Sequence, residues 1–272
     1  MTAQRPSLTS ARGWIKVDKN GAAAAALSEG EIAMSYGRIG VIGAMDSELA
    51  ALIAALAQPA RETVQGLAFH TGRLGAREVV LVRCGIGKVS AARCTQVLID
   101  RFAPAAVINT GIAGGLGAGL AVGDIVVADG LVQHDFDAAP IGFVRGCLCM
   151  GDPGAPTVFT PDEPLSALLA RTAGDAAGAQ RVHRGLIATG DQFISGAAAK
   201  AAIRSAFPSA MAAEMEGGAV AQAASMSGVP FAVVRAISDL ADGTAAASFE
   251  QFEQHAADVS AAAVLQALAL LD

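Results

Sequence analysis

From Arg38 onward, short apolar runs rich in Val and Ile each stop at a glycine-rich or polar cluster, and Ala/Leu-rich stretches often follow. Arg38–Met45 (RIGVIGAM) predicts a strand. Asp46, a residue type suited to cap a helix, then opens a helix with Leu49, Leu52, Ile53 and Leu56 on one face. Two hairpin-like strands are predicted around Ala68–Leu74 and Glu78–Cys84, with Gly75 between them. Gly85–Lys88 opens an Ala-rich helix that runs to about Phe102. Ala105–Asn109 reads as a buried strand ending in a Gly-rich loop, and Asp124–Ala128, Gly185–Ala188 and Phe231–Ile237 read as further strands. Helices are predicted at about Ala197–Ala206, Glu216–Ser227 and Phe249–Leu271. Near-continuous apolar strands interleaved with helices imply an α/β fold whose largely parallel sheet is covered on both faces. No composition break divides residues 34–272, which therefore read as one domain. Residues 1–33 carry scattered charges and an Ala run, and read as an N-terminal extension, with Met34 a candidate natural start.

Composition narrows the partners. The chain has 272 residues, more than half of them apolar, enough for a large core and a buried subunit interface. A net charge of -6 argues against nucleic acid or an anionic membrane as a partner, and points to a neutral or zwitterionic small molecule. The four cysteines are too sparse for a disulfide scaffold. Cys147 and Cys149 stand too close together for a tetrahedral zinc site, so they read as reduced thiols of a cytoplasmic protein. No apolar run is long enough to cross a bilayer, and no apolar stretch followed by a cleavage site marks a secretory signal. Nothing in the sequence requires a metal or another cofactor.

Sheets of this kind bind ligands at the carboxyl ends of their strands. Those ends carry Asp46 and Glu48, then Gly85-Ile86-Gly87-Lys88, then Thr110-Gly111-Ile112-Ala113-Gly114-Gly115. Gly190-Asp191-Gln192-Phe193, Glu214-Met215-Glu216, and finally Arg235, Ser238 and Asp239 complete the set. Gly87-Lys88-Val89 fails the Walker pattern, and the loop at Gly111–Gly119 does not run directly into a helix as a dinucleotide fingerprint would. Each residue also has a plainer reading. A helix dipole alone favours Glu48 in a first turn, and Asp239 suits an ordinary turn. Glu214 and Glu216 are two apart and diverge, so at most one need face a pocket. Phe193 is of a type usually found in cores, and His134-Asp135 reads as a loop pair. Several carboxylates gathered at strand ends nevertheless resemble acid–base equipment, and so favour an enzyme.

Seven segments occur in order: IGVIGAMDSE (Ile39–Glu48), GIGKV (Gly85–Val89), NTGIAGG (Asn109–Gly115), VGDIVV (Val122–Val127), GDQFI (Gly190–Ile194), AEME (Ala213–Glu216) and VVRAISD (Val233–Asp239). Together they resemble the bacterial 5'-methylthioadenosine/S-adenosylhomocysteine nucleosidases, across nearly all of residues 38–265. The resemblance implies a purine nucleoside phosphorylase-like three-layer α/β/α sandwich around a twisted, mixed, mostly parallel sheet, usually as a homodimer. It implies hydrolysis of the N-glycosidic bond of 5'-modified adenosines, with release of adenine and no cofactor. By position, Glu48 matches the acid that activates water, and Asp239 the acid that protonates adenine at N7, with Ser238 orienting its carboxyl. Glu216 and Met215 match residues at the ribose, and Phe193 and Ile194 the adenine-contacting segment. Arg235 matches an arginine near ribose and water, while Ile86 and Phe249 line the 5' side. Ala113, Gly114 and Glu214 fall in the matched segments and are expected to bind substrate. The two-carboxylate logic predicts an Asp239 pKa raised by burial and a Glu48 that stays ionised in a more polar spot.

Two departures bear on specificity. Ile112 stands where the family commonly has serine, which removes a hydroxyl near ribose and water. Phe136–Phe143 matches a loop that closes the partner subunit's 5' pocket, but Ala138 and Ile141 replace larger apolar residues and Cys147-Leu148-Cys149 follows. The 5' substituent is left open. Two rival readings stand: a phosphorolytic enzyme of the same fold, with Lys88 and Arg235 as its available cations, and a nucleoside-binding protein without chemistry.

Overall fold

Strand β1 (Ile39–Gly43) is buried along its whole length because neighbours cover both its edges and both its faces. It pairs in parallel with β4 (Arg77–Arg83) and β5 (Ala106–Asn109). The computed structural model describes residues 37–178 and 181–271; the expected extension, residues 1–33, and Met34 lie outside them. β2 (Ala57–Val64) and β3 (Leu67–Leu74) add antiparallel strands beyond β4. β6 (Ile112–Gly115), β7 (Ile125–Gln133), β8 (Val182–Thr189), β9 (Ala210–Glu214) and β10 (Phe231–Asp239) complete a ten-stranded mixed sheet of order β2-β3-β4-β1-β5-β10-β6-β9-β8-β7. The sheet curls back on itself, since β7 also pairs antiparallel with the middle of β10.

Alternate strand residues feed two cores, which makes three layers. Val79, Leu81, Ile108, Ala232 and Val234 pack with α1 (Asp46–Ala54), α3 (Glu163–Ala177) and α6 (Ala245–Leu270). Val80, Val82, Val107, Phe231 and Val233 pack with α2 (Lys88–Phe102) and α5 (Gly217–Met226). Helix α4 (Ala197–Ala206) closes a smaller cluster through Ile203.

The architecture is the expected sandwich, with four local corrections. Asp46 does not cap α1: Met45 holds the cap position, Asp46 lies exposed beside Arg83, and Glu48 folds back onto the free N–H groups. Part of the expected Gly-rich loop is strand β6, because β10 and β9 flank it and supply ladder partners that outweigh the glycines' low strand propensity. Glu214 ends β9, and Glu216 precedes α5 rather than opening it. Helix α6 starts four residues before Phe249, and β2, β9 and α3 were not anticipated by the periodicity. Among the described residues, no helix is long and apolar enough to cross a membrane.

Candidate active site

The ends of β1, β4, β8, β9 and β10 converge on one cavity of about 630 Å³, counting the space open to solvent. The turn after β1 contributes Ala44, Met45 and Glu48, and the turn after β4 contributes Ile86. Strand β6 adds Ile112, Ala113 and Gly114, and Gln192, Phe193 and Ile194 follow β8. Ala213 through Glu216 cross the β9–α5 junction, Ser238 and Asp239 end β10, and Phe249 reaches over from α6. Of the residues predicted from sequence, all but Arg235 line this cavity. Ala44, Met45, Gln192 and Ala213 were not singled out, being small or generic residues whose only signal was their place next to a motif.

Glu48 is held by backbone alone. Its Oε2 accepts from the N–H of Ala44 (2.6 Å) and Met45 (3.0 Å), and its Oε1 accepts from the N–H of Ile112 (3.1 Å). Gly111 makes room for it, because a Cβ there would run into Oε1. Ile112 therefore keeps a backbone role beside Glu48 while its side chain packs in the buried core. The more polar spot expected for Glu48 is not found, because the side chain is buried. Burial pushes its pKa up, and only the charge of Arg235 and the three N–H donors pull it back.

Asp239 is likewise raised by burial, against the N–H of Ala241 on Oδ1 (2.8 Å) and the Ser238 hydroxyl donating to Oδ2 (2.9 Å). Both glutamates at the β9–α5 junction reach the wall, which corrects the expectation that at most one would. Their carboxylates behave differently. Glu214 accepts from Thr189 Oγ1, from the N–H of Glu216 (3.0 Å) and Gly217 (2.6 Å), and from Arg235 Nη2 (2.6 Å). Burial opposes its charge, but Arg235 and these donors hold it below the usual carboxylate range. Glu216 accepts from Gly87 N–H (2.8 Å), and burial together with the Glu214 charge pushes it up to about 7.

Arg235 is fully buried behind the wall, where its Nη2 also donates to Asn109 Oδ1 (2.5 Å). Lys88, the other cation considered, donates through Nζ to Asp135 Oδ1 (2.6 Å). Asp135 also accepts from Asp191 N–H, and Asp191 from Lys88 N–H, which ties the start of α2 to the segment that carries Phe193. His134 is buried against Gly190, so the His134-Asp135 pair divides into a packed ring and an ion-pair partner. Phe193 is half-exposed rather than core, and meets Phe249 edge-on with ring centroids 5.6 Å apart.

The sequence profile of the Phosphorylase superfamily matches residues 38–269, and the chain belongs to that superfamily and, within it, to the 5'-methylthioadenosine/S-adenosylhomocysteine nucleosidases. The nucleosidase of that name from Actinobacillus succinogenes is 42% identical over 235 residues, covering 86% of this chain and 100% of the relative. The S. pneumoniae nucleosidase, solved with the transition-state inhibitor MT-ImmA, superposes with a TM-score of 0.80 at 41% identity, covering 86% of this chain and 100% of that one. The Colwellia psychrerythraea nucleosidase in complex with adenine gives 0.79 at 39% identity, covering 87% and 96%.

Proposed function

We propose that the chain hydrolyses the N-glycosidic bond of 5'-modified adenosines, methylthioadenosine and S-adenosylhomocysteine among them, and releases adenine. The carrying observation is the acidic lining of the cavity: Glu48, Glu214, Glu216 and Asp239 reach it, and none of the described lining residues is cationic. Lys88 and Arg235, which a phosphate co-substrate would need, are spent on Asp135 and Glu214. Such a wall stabilises a cationic ribosyl transition state and repels phosphate.

In this reading the protonated Asp239 gives its proton to N7 as the C1'–N9 bond breaks and its electron pair moves onto adenine. Glu48 takes a proton from water as the water oxygen bonds to C1', and the proton then returns to Asp239 through solvent. Burial raises the proton affinity of both carboxyls, which favours Asp239 as the proton donor and makes Glu48 a stronger base. Glu216 accepts the ribose hydroxyls beside Met215. Phe193 stacks on the base, with Ile194, Ala113 and Gly114 along its edge. Ile86 and Phe249 hold an apolar 5' substituent, and Arg235 acts from behind the wall through Glu214 and Glu48. The assembly is a homodimer in which residues 136–143 of a second copy close the 5' end; the exposed Ile86, Val89 and Ile141 fit such a contact.

Chromatography of the free base released from methylthioadenosine, S-adenosylhomocysteine, 5'-deoxyadenosine, adenosine and inosine, each with and without phosphate, tests the proposal. Adenine released from the 5'-modified substrates without phosphate is the expected result. Strict phosphate dependence would overturn it in favour of phosphorolysis.

A further inference from the structure

Helix α4 places one charged side chain beside the site that the reaction above does not use. Lys200 is partly buried, and its Nζ donates to the carbonyl oxygens of Gly115 (2.8 Å) and Leu240 (2.7 Å). Both acceptors flank Asp239. Gly115 follows Gly114, where an added Cβ would lie 3.0 Å from Asp239 Oδ1, and Leu240 is the next residue after Asp239. The turn beyond it is unfavourable by itself: Ala241 is fully buried at φ 51, a conformation that crowds any residue with a Cβ. That turn aims the Ala241 N–H at Asp239 Oδ1.

We propose that Lys200 is the positioning residue of the leaving-group acid: by tying β6 to the turn after β10, it holds Asp239 in the orientation from which it protonates the departing base. A solvated lysine would keep its rotamer freedom and full hydration, whereas Lys200 gives up part of both to reach two neutral carbonyls. Its charge acts in a second way. The charged groups facing Asp239 are Lys200 and Asp242, with Arg204 further along α4 facing Lys200. The ammonium favours the ionised carboxyl, so its removal moves the high-pH limb of kcat upward.

This assignment rests on the proposed hydrolysis, and leaving-group dependence tests the two separately. Wild type, Lys200→Met and Lys200→Arg are assayed on methylthioadenosine and on a p-nitrophenyl riboside with the same 5'-methylthio group, whose phenolate departs without a proton. For Lys200→Met, kcat on methylthioadenosine is expected to fall on the order of 10-fold to 100-fold with little change in KM, and kcat on the nitrophenyl riboside to fall less than about 3-fold. Lys200→Arg, which keeps the charge and the donors, is expected to recover most of the loss. Should Lys200→Met fail to fold, Lys200→Gln is read by the same ratio. Equal losses on both substrates, or none on either, would overturn the assignment. A wild type that releases no adenine would overturn the hydrolysis itself.

Discussion

Glu214 and Glu216 are separated by one residue, yet they belong to two different regions of the site. Glu214 belongs to the floor, where Thr189 and Arg235 bond to it directly, Asn109 bonds to Arg235, and every charge meets an opposite charge or a donor. Glu216 belongs to the lining with Glu48 and Asp239, where burial raises the proton affinity and the donors are too few to cancel it. The floor has been completed by the fold. The lining has been left short of partners, and that shortage is what a ligand with hydroxyls, a basic nitrogen and a developing cation would fill.

The comparison predicts that floor variants lose stability and lining variants lose chemistry. The largest effect is expected for Arg235→Met, which leaves Glu214 buried without its counter-ion and should cost about 3–5 kcal/mol in denaturant unfolding. A loss below about 1 kcal/mol would mean that the floor is not ionic in the way described. Asp239→Asn should lower kcat by about 10²–10⁴-fold while moving the melting temperature little, because the amide keeps most of the packing. Activity within a few-fold of wild type would remove Asp239 from the leaving-group role.

Glu216 sharpens the contrast through pH. Its ionised form is the stronger acceptor for two ribose hydroxyls, and its pKa of about 7 places the change near neutrality. KM for methylthioadenosine should therefore rise as pH falls from 8 to 6, by about 10-fold, and Glu216→Gln should flatten the profile. An unchanged slope in the variant would assign the titration elsewhere. The smallest effect is expected for the exposed pair of Arg184 and Glu163, bidentate at 2.6 Å but open to water. Arg184→Ala should cost no more than about 1 kcal/mol in the same unfolding experiment, which sets the scale for an ion pair without burial.

Much of the site was legible in the chain because its residues lie in short segments at strand ends. IGVIGAMDSE carries a strand, a turn and Glu48 within ten residues, and GDQFI carries Phe193 directly after β8. The strands that escaped notice lack that signature. β2 is mostly exposed and mixes charged with small residues, β6 is half glycine, and β9 is mostly alanine, so their pairing partners rather than their side chains make them strands. Arg235, expected near the ribose, is buried and does not line the cavity, because a motif does not reveal which face of a strand is already occupied.

By itself the sequence determined the α/β class, the order of the principal elements, the acidic character of the site and the family, since all of these follow from local runs, periodicity and motifs. Only the tertiary structure decided that Glu48 is raised rather than kept low, that Glu214 is satisfied while Glu216 is not, and that Lys200 reaches the segments around Asp239. A carboxylate's proton affinity depends on burial and on donors that, for Glu214, arrive from positions 189 and 235, far apart in the chain. Such neighbours exist only once β8 has paired with β9 and β6 has joined β9 to β10.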